Sequence, residues 1–166
     1  MKLIGLLRHA KSDWDTPFIT DKERGLSNRG IRNASSLRKF LRIRSLSFDA
    51  ALVSDAKRAQ DTLRLINKSN VLTENVNILE ELYDAEKDTY LQNIHKLPDV
   101  FEKVLIIGHN PEIESICSFL MGLDKSPFSK FSTSSLALLQ FETNDWTHIP
   151  DVKGTLSLYW NPSKRT

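Results

Sequence analysis

Four side chains suited to phosphate chemistry follow short apolar runs of the sequence: Arg8, His9 and His109 close behind two of the runs, and Arg58 in the first turn of the helix predicted after a third. A neutral imidazole is a good nucleophile toward phosphorus, and covalent capture of a phosphoryl group divides one difficult hydrolysis into two easier steps. Guanidinium groups match the non-bridging phosphate oxygens with paired donors, and a second imidazole adds another donor. Nearby cations also lower the pKa of an imidazole, which keeps its lone pair available near neutral pH. The set therefore predicts phosphoryl transfer, with His9 as the acceptor and the other three side chains binding the phosphate.

The elements that must position these side chains are short apolar runs at residues 3–7, 50–53 and 104–107. Runs without polar alternation are typical of strands buried on both faces of a parallel sheet. A weaker strand is predicted at residues 76–79. Because ligands bind beyond the carboxyl ends of such strands, the residues that follow them converge on one rim of the sheet. Any one of the four side chains alone would be ordinary, but their joint placement favours a site.

Stretches with a helical period separate the predicted strands. The first follows Ser27, a predicted N-cap, and has an apolar stripe of Ile31, Ala34, Leu37 and Leu41. Two further helices are predicted within residues 56–66 and 90–97. The last helix has Asn110 as its predicted cap and Pro111 at its first position.

The C-terminal part of the chain changes character. Residues 136–141 and 155–160 are predicted strands, and the turn residues between them favour an antiparallel pair. The order of elements is then β-α-β-α-β-α-β-α-β-β. This order predicts a single α/β domain over residues 1–166, a three-layer α/β/α sandwich whose mostly parallel sheet has an antiparallel edge strand.

Composition and charge restrict the functional classes. Apolar residues make up 40% of the chain, and no apolar run reaches the roughly 18 residues that a membrane helix needs. The first run is too short for a secretory signal, so we expect a cytoplasmic protein with no membrane partner. The net charge of +2 gives little support for nucleic-acid binding. One cysteine and four widely spaced histidines predict no disulfide, no metal site and no cofactor.

Several segments match a known family pattern. Residues 7–12, LRHAKS, resemble the RHG signature of the histidine phosphatase superfamily, with Ala10 in place of the usual glycine. Residues 54–62, SDAKRAQDT, look like its S-x-x-x-R-A-x-x-T segment, and residues 104–111, VLIIGHNP, resemble the strand that bears its second histidine. A D-x-x-R-x-L segment that begins at Asp21 is a further similarity. The nearest subgroup is that of the SixA-type phosphohistidine phosphatases, and the resemblance covers nearly the whole chain in the correct order.

The resemblance implies a phosphoglycerate mutase-like fold in a minimal form without lid insertions. It implies that His9 is the nucleophile that becomes phosphohistidine, and that three residues complete the catalytic core: Arg8, Arg58 and His109. Many relatives use a carboxyl group as general acid for the leaving group. The candidate here is Glu81, and its rivals lie near the first loop: Asp13, Asp15 and Asp21. Two additional candidates for phosphate or substrate contact are Ser12 and Arg24.

The predicted connections bear on the substrate. About 20 residues separate the second and third predicted strands and about 24 the third and fourth, and helices fill most of both connections, so no segment remains for a lid over the pocket. An open pocket suits a phosphoryl group presented on a protein surface, and an imidazole leaving group needs less help from an acid than an alkoxide does. We therefore expect phosphohistidine on a protein as the substrate. Two alternatives stay open: a hydrolase of small phosphomonoesters or phosphoramidates, and a noncatalytic phosphohistidine-binding protein, which would not need the nucleophile His9. The sequence leaves the oligomeric state and the pathway open.

Overall fold

The computed structural model describes residues 1–163, and its central feature is a six-stranded sheet with the strand order β3-β2-β4-β1-β5-β6. The strands have the following bounds: β1 Lys2–Arg8, β2 Ala50–Ser54, β3 Val76–Leu79, β4 Lys103–Gly108, β5 Leu136–Phe141 and β6 Thr155–Trp160. The first four strands are parallel to one another, and β5 and β6 add to one edge as an antiparallel pair. The predicted mostly parallel sheet with an antiparallel edge is confirmed.

Helices cover both faces of the sheet, which gives the predicted three layers. They have the following bounds: α1 Asn28–Ile43, α2 Lys57–Ile66, α3 Lys87–His95 and α4 Glu112–Leu120. On one face α1 and α2 pack against the sheet around Leu37 and Leu63, and on the other α3 and α4 pack around Ile94 and Ile116. Because β1, β2 and β4 lie between these two apolar layers, nearly all their residues are buried, as their uninterrupted apolar runs predict.

The beginning of α1 is partly as predicted. Ser27 is the N-cap, and its hydroxyl accepts a hydrogen bond from the backbone N–H of Gly30. The predicted apolar stripe is wrong at Ile31, which is 42% exposed, because the buried position in this turn belongs to Gly30. A Cβ atom on Gly30 would collide with the backbone carbonyl of Lys11. The helix therefore approaches the loop after β1 more closely than any side chain would permit.

The beginning of α4 differs from the prediction by one residue. Pro111 is the N-cap and the helix starts at Glu112, so Asn110 lies before the cap. The side-chain amide of Asn110 instead donates hydrogen bonds to the Glu114 carboxylate at 2.9 Å and to the Phe131 carbonyl at 3.2 Å. Asn110 therefore ties the loop after β4 to the segment before β5 and does not cap the helix.

No helix within residues 1–163 is long and apolar enough to cross a membrane. The lone cysteine, Cys117, is fully buried on α4, and burial raises the pKa of its thiol to about 12. It belongs to the apolar core, as its position in the helical period predicts.

Candidate active site

The loop that follows β1 holds His9 in a fixed position. Arg8 pairs with Gly108 in the register of β1 and β4, so His9 and His109 leave the sheet at the same level. The backbone N–H of His9 donates to the Gly108 carbonyl at 3.0 Å. The next N–H, that of Ala10, donates to the Thr62 hydroxyl at 2.9 Å. These bonds attach the loop to β4 on one side and to α2 on the other.

The imidazole of His9 is oriented by its own neighbour. Its Nδ1 atom lies 2.7 Å from the carbonyl oxygen of Ala10, and a carbonyl oxygen only accepts, so Nδ1 carries the proton. In the neutral ring the lone pair is then on Nε2. His9 is only 7% exposed. Burial is the main cause that lowers its pKa to about 3; the Ala10 carbonyl opposes it, and the charges of His109, Arg58 and Arg8 add to it. The ring is therefore neutral at physiological pH, as a nucleophile requires.

His109 lies beside His9, with 5.0 Å between the ring centroids. Its Nε2 atom is 2.8 Å from the hydroxyl of Ser54 at the end of β2. That hydroxyl also accepts from the backbone N–H of Ala56, and a serine hydroxyl can either donate to an imidazole nitrogen or accept from it. In the tautomer in which Ser54 donates to Nε2, the His109 ring proton is on Nδ1, a buried atom without a hydrogen-bond partner among the described residues. Burial lowers the pKa of His109 to about 4, with a smaller contribution from Arg58.

The two arginines are each held by one end of the guanidinium. Nη1 of Arg8 donates to the Phe131 carbonyl at 2.9 Å. Nη1 of Arg58 donates to the Asp21 carbonyl at 2.8 Å, and its Nη2 forms an ion pair with the Asp21 carboxylate at 2.9 Å. The Nε atoms of both arginines are buried and have no partner among residues 1–163. Together with His109 Nδ1 they are three N–H donors of the kind that bind an oxyanion.

Asp21 is the centre of a charged network. Its carboxylate accepts from Arg24 at 2.6 Å and from the Tyr83 hydroxyl at 2.8 Å, in addition to its ion pair with Arg58. Partial burial acts to raise the pKa of Asp21, but these hydrogen bonds and the Arg58 charge outweigh it and hold the pKa well below its usual range. Asp21 is thus an ionised clamp on Arg58, which disfavours it as a general acid.

The other carboxylates predicted as general acids lie at the surface. Glu81 is exposed in the short 3-10 turn Glu80–Leu82 after β3, and no hydrogen bond or ion pair holds it within the described part of the chain. The Asp13 carboxylate accepts from the Asp15 N–H at 2.9 Å and from the Thr16 hydroxyl at 2.6 Å, which commits it to its own loop. Asp15 is exposed. Glu81 therefore stays the predicted acid.

Ser12 and Arg24, predicted as phosphate contacts, are both buried and bound to each other. Nη1 of Arg24 donates to the Ser12 hydroxyl, and Nη2 pairs with Asp21. The Arg24 guanidinium also lies 3.7 Å from the ring centroid of Trp14. Both residues thus connect to Arg58 through Asp21. The two Nη atoms of Arg24 are occupied, while its Nε is buried without a hydrogen-bond partner among the described residues.

Sequence patterns missed parts of this arrangement. Thr62 lies four residues after Arg58, and its hydroxyl bridges the Arg58 carbonyl and the Ala10 N–H, a role that the R-A-x-x-T spacing could have indicated. The D-x-x-R spacing likewise hinted at the pair of Asp21 and Arg24. Tyr83 had no signal in the sequence. No group of three or more potential ligands from His, Cys, Asp and Glu within residues 1–163 is placed to hold a metal ion.

Comparisons with known proteins give one family match, curated relatives and solved structures of similar fold. A family model described as the histidine phosphatase superfamily (branch 1) matches residues 4–100. An uncharacterised protein of Mycobacterium leprae is 32% identical over 86% of this chain and 91% of its own length. A solved structure of a candidate phosphohistidine phosphatase SixA from Agrobacterium tumefaciens has a TM-score of 0.83 and 26% identity, covering 98% of this chain and 99% of that one. The protein histidine phosphatase SixA complexed with tungstate has a TM-score of 0.79 and 22% identity, covering 96% and 97% of the two chains.

Proposed function

Because the chain belongs to the histidine phosphatase superfamily, we propose that it hydrolyses phosphohistidine on proteins through a covalent phosphoryl intermediate on His9. The observation that carries the proposal is the 2.7 Å contact between His9 Nδ1 and the Ala10 carbonyl. This contact directs the lone pair to Nε2 in a ring whose lowered pKa keeps it neutral. The likeness to solved SixA structures supports the same reaction class.

The reaction proceeds in two displacements. In the first, the lone pair of His9 Nε2 forms a bond to phosphorus while the bond from phosphorus to the substrate nitrogen breaks, and the departing imidazole leaves neutral if its other nitrogen already carries a proton. In the second, water attacks the phosphoryl group, the bond to Nε2 breaks, and inorganic phosphate leaves with His9 restored. Both transition states spread charge over three equatorial oxygens. The three partnerless N–H donors of Arg8, Arg58 and His109 are suited to stabilise that charge.

The choice of substrate follows from the leaving group. An alkoxide must receive a proton as its bond to phosphorus breaks, whereas a protonated phosphoimidazole departs without one. Asp21 is ionised and held by two arginines, and Glu81 lies exposed at the surface. Neither carboxyl group is held beside the phosphate-binding N–H donors as a proton source, which favours phosphohistidine over alkyl phosphates as the substrate. Glu81 is the proposed source of a proton where a substrate requires one.

The experiment compares free phosphohistidine, a phosphohistidine peptide and an alkyl phosphate such as glycerol phosphate, with wild type, His9→Ala and His95→Ala. His95 lies at the end of α3 and is exposed, so its variant is the matched control. We expect the wild type and His95→Ala to prefer both phosphohistidine substrates by at least tenfold in kcat/KM, and His9→Ala to be inactive. Equal or greater activity on the alkyl phosphate, or an active His9→Ala variant, would refute the proposal.

A further inference from the structure

The segment between β1 and the charged network exposes three large apolar side chains: Trp14, Phe18 and Ile19. Trp14 is 62% exposed, Phe18 39% and Ile19 92%. The rings of Trp14 and Phe18 meet edge to face with centroids 6.1 Å apart. We call these three residues the apolar rim. Apolar groups gathered at the surface next to a catalytic centre are typical of a surface that binds a partner.

Polar contacts hold both ends of this segment, and the Arg24 guanidinium lies 3.7 Å from the Trp14 ring centroid. The Asp13 carboxylate accepts hydrogen bonds from Asp15 and Thr16, and the Asp13 N–H donates to the Gly25 carbonyl at 2.9 Å. At the far end, the Thr20 N–H donates to the Glu23 carboxylate at 2.9 Å. Polar contacts thus fix the loop from both ends. Ile19 itself makes no hydrogen bond, ring contact or core contact among the described residues. Its exposure therefore has no structural explanation within the chain.

A short series of contacts joins the apolar rim to the phosphate donors. The Trp14 ring lies 3.7 Å from the Arg24 guanidinium, Arg24 pairs with Asp21 at 2.6 Å, and Asp21 pairs with Arg58 at 2.9 Å. Trp14 is also only five residues after His9 in the chain. A polypeptide that delivers a phosphoryl group to the buried His9 carries side chains on both sides of its phosphohistidine, which free phosphohistidine and small phosphate esters lack.

We propose that the apolar rim binds apolar side chains that flank the phosphohistidine of a protein substrate, and so selects protein-borne phosphohistidine over free phosphohistidine. This inference rests on the proposed function and specifies its partner. Contacts that are made equally in the ground and transition states lower KM and leave kcat unchanged. The apolar rim is therefore expected to act on KM, while the His9 chemistry sets kcat.

The test uses three substrates with the same leaving group. They are free phosphohistidine, a short peptide with leucine and valine on both sides of a phosphohistidine, and the same peptide with serine at those positions. We expect the wild type to prefer the apolar peptide over the serine peptide by about tenfold in kcat/KM, which corresponds to about 1.4 kcal/mol. Ile19→Ser should reduce this preference to about threefold or less through KM, Ile19→Leu should retain it, and neither should change the rate on free phosphohistidine.

The control is Val100→Ser. Val100 is 80% exposed and precedes β4 at the opposite end of the parallel strands, so this variant should retain the full preference. An unchanged preference in Ile19→Ser would overturn the inference and leave the proposed function standing. Two further measurements identify a different partner for the apolar rim. If Ile19→Ser keeps the peptide preference but loses binding to anionic lipid vesicles, or loses self-association in sedimentation, the inference is overturned. A wild type that hydrolyses none of the three substrates would refute the proposed function together with the inference.

Discussion

Replacing Asp21 with asparagine tests the charged network that holds Arg58. The Asp21 carboxylate receives side-chain hydrogen bonds from Arg24, Arg58 and Tyr83. Asparagine retains one acceptor oxygen but loses the negative charge between two guanidiniums that are each about 6% exposed. A hydrogen bond to a charged group contributes about 1.5–3 kcal/mol, and the 40% exposure of the Asp21 side chain weakens the effect through solvent screening. We expect the free energy of unfolding to fall by about 2 kcal/mol, and Tm to fall by about 4–8 °C in a chain of this length.

The pH dependence follows from the direction of the Asp21 pKa. Its folded value lies below that of the unfolded chain, so its stabilisation is fully present above the ordinary aspartate pKa of about 4 and is lost as pH falls through the folded value. The difference in Tm between wild type and Asp21→Asn should therefore be constant from neutral pH down to about pH 5 and shrink at lower pH.

The assay is thermal unfolding followed by circular dichroism, with and without inorganic phosphate. Phosphate should raise Tm more in Asp21→Asn than in the wild type, because the anion replaces negative charge beside Arg58. Asp15→Asn, a change at an exposed carboxylate two residues beyond Asp13, is the control and should alter stability by less than about 0.5 kcal/mol. If Asp21→Asn unfolds at the same temperature as this control, the clamp does not support Arg58 and the reasoning is refuted.

Three further predictions concern catalysis. Ser54→Ala removes the partner of His109 Nε2 and should lower kcat by about tenfold or more, while circular dichroism shows that the fold persists. An unchanged kcat would contradict the His109 tautomer in which Ser54 donates to Nε2. Because the pKa of His9 is lowered to about 3, kcat/KM should lose less than about threefold between pH 7 and pH 5. A nucleophile with the ordinary pKa of about 6.5 would lose about 25-fold over the same range, and a pH-rate profile decides between the two. Glu81→Gln should slow alkyl phosphate hydrolysis at least tenfold and phosphohistidine hydrolysis less than twofold, and equal effects on both substrates would remove Glu81 as the acid.

Much of the fold could be predicted from short apolar runs in the sequence, because these runs form the buried strands of the sheet. The uninterrupted apolar runs of β1, β2 and β4 match their burial between two helical layers, and register then places His9 beside His109. The prediction failed where a close approach overrode periodicity. At the start of α1, Gly30 takes the buried position because the Lys11 carbonyl leaves no room for a side chain, and Ile31 turns outward.

The candidate site was predictable to the extent that its residues follow strands. Arg8 ends β1, and His9 and His109 directly follow β1 and β4, so the parallel arrangement of these strands brings them together. The clamp on Arg58 was not predictable in this way, because Asp21 lies in the connection between β1 and α1, 37 positions before Arg58 and 62 positions before Tyr83. In the sequence, a carboxylate near an arginine of the predicted site is a candidate acid. Only its contacts with Arg24 and Arg58 indicate that it is held ionised.

The central claim is that the phosphoryl group is transferred to Nε2 of His9, because Nδ1 is bonded to the Ala10 carbonyl. The most direct measurement is rapid alkaline quenching during turnover of a phosphohistidine peptide, followed by mass spectrometry and phosphorus NMR of the trapped protein. We predict phosphate on His9 alone, attached to Nε2 and stable in base but labile in acid. Phosphate on Nδ1, phosphate on His109, or turnover without any trapped phosphoprotein under conditions that preserve authentic phosphohistidine would contradict the account.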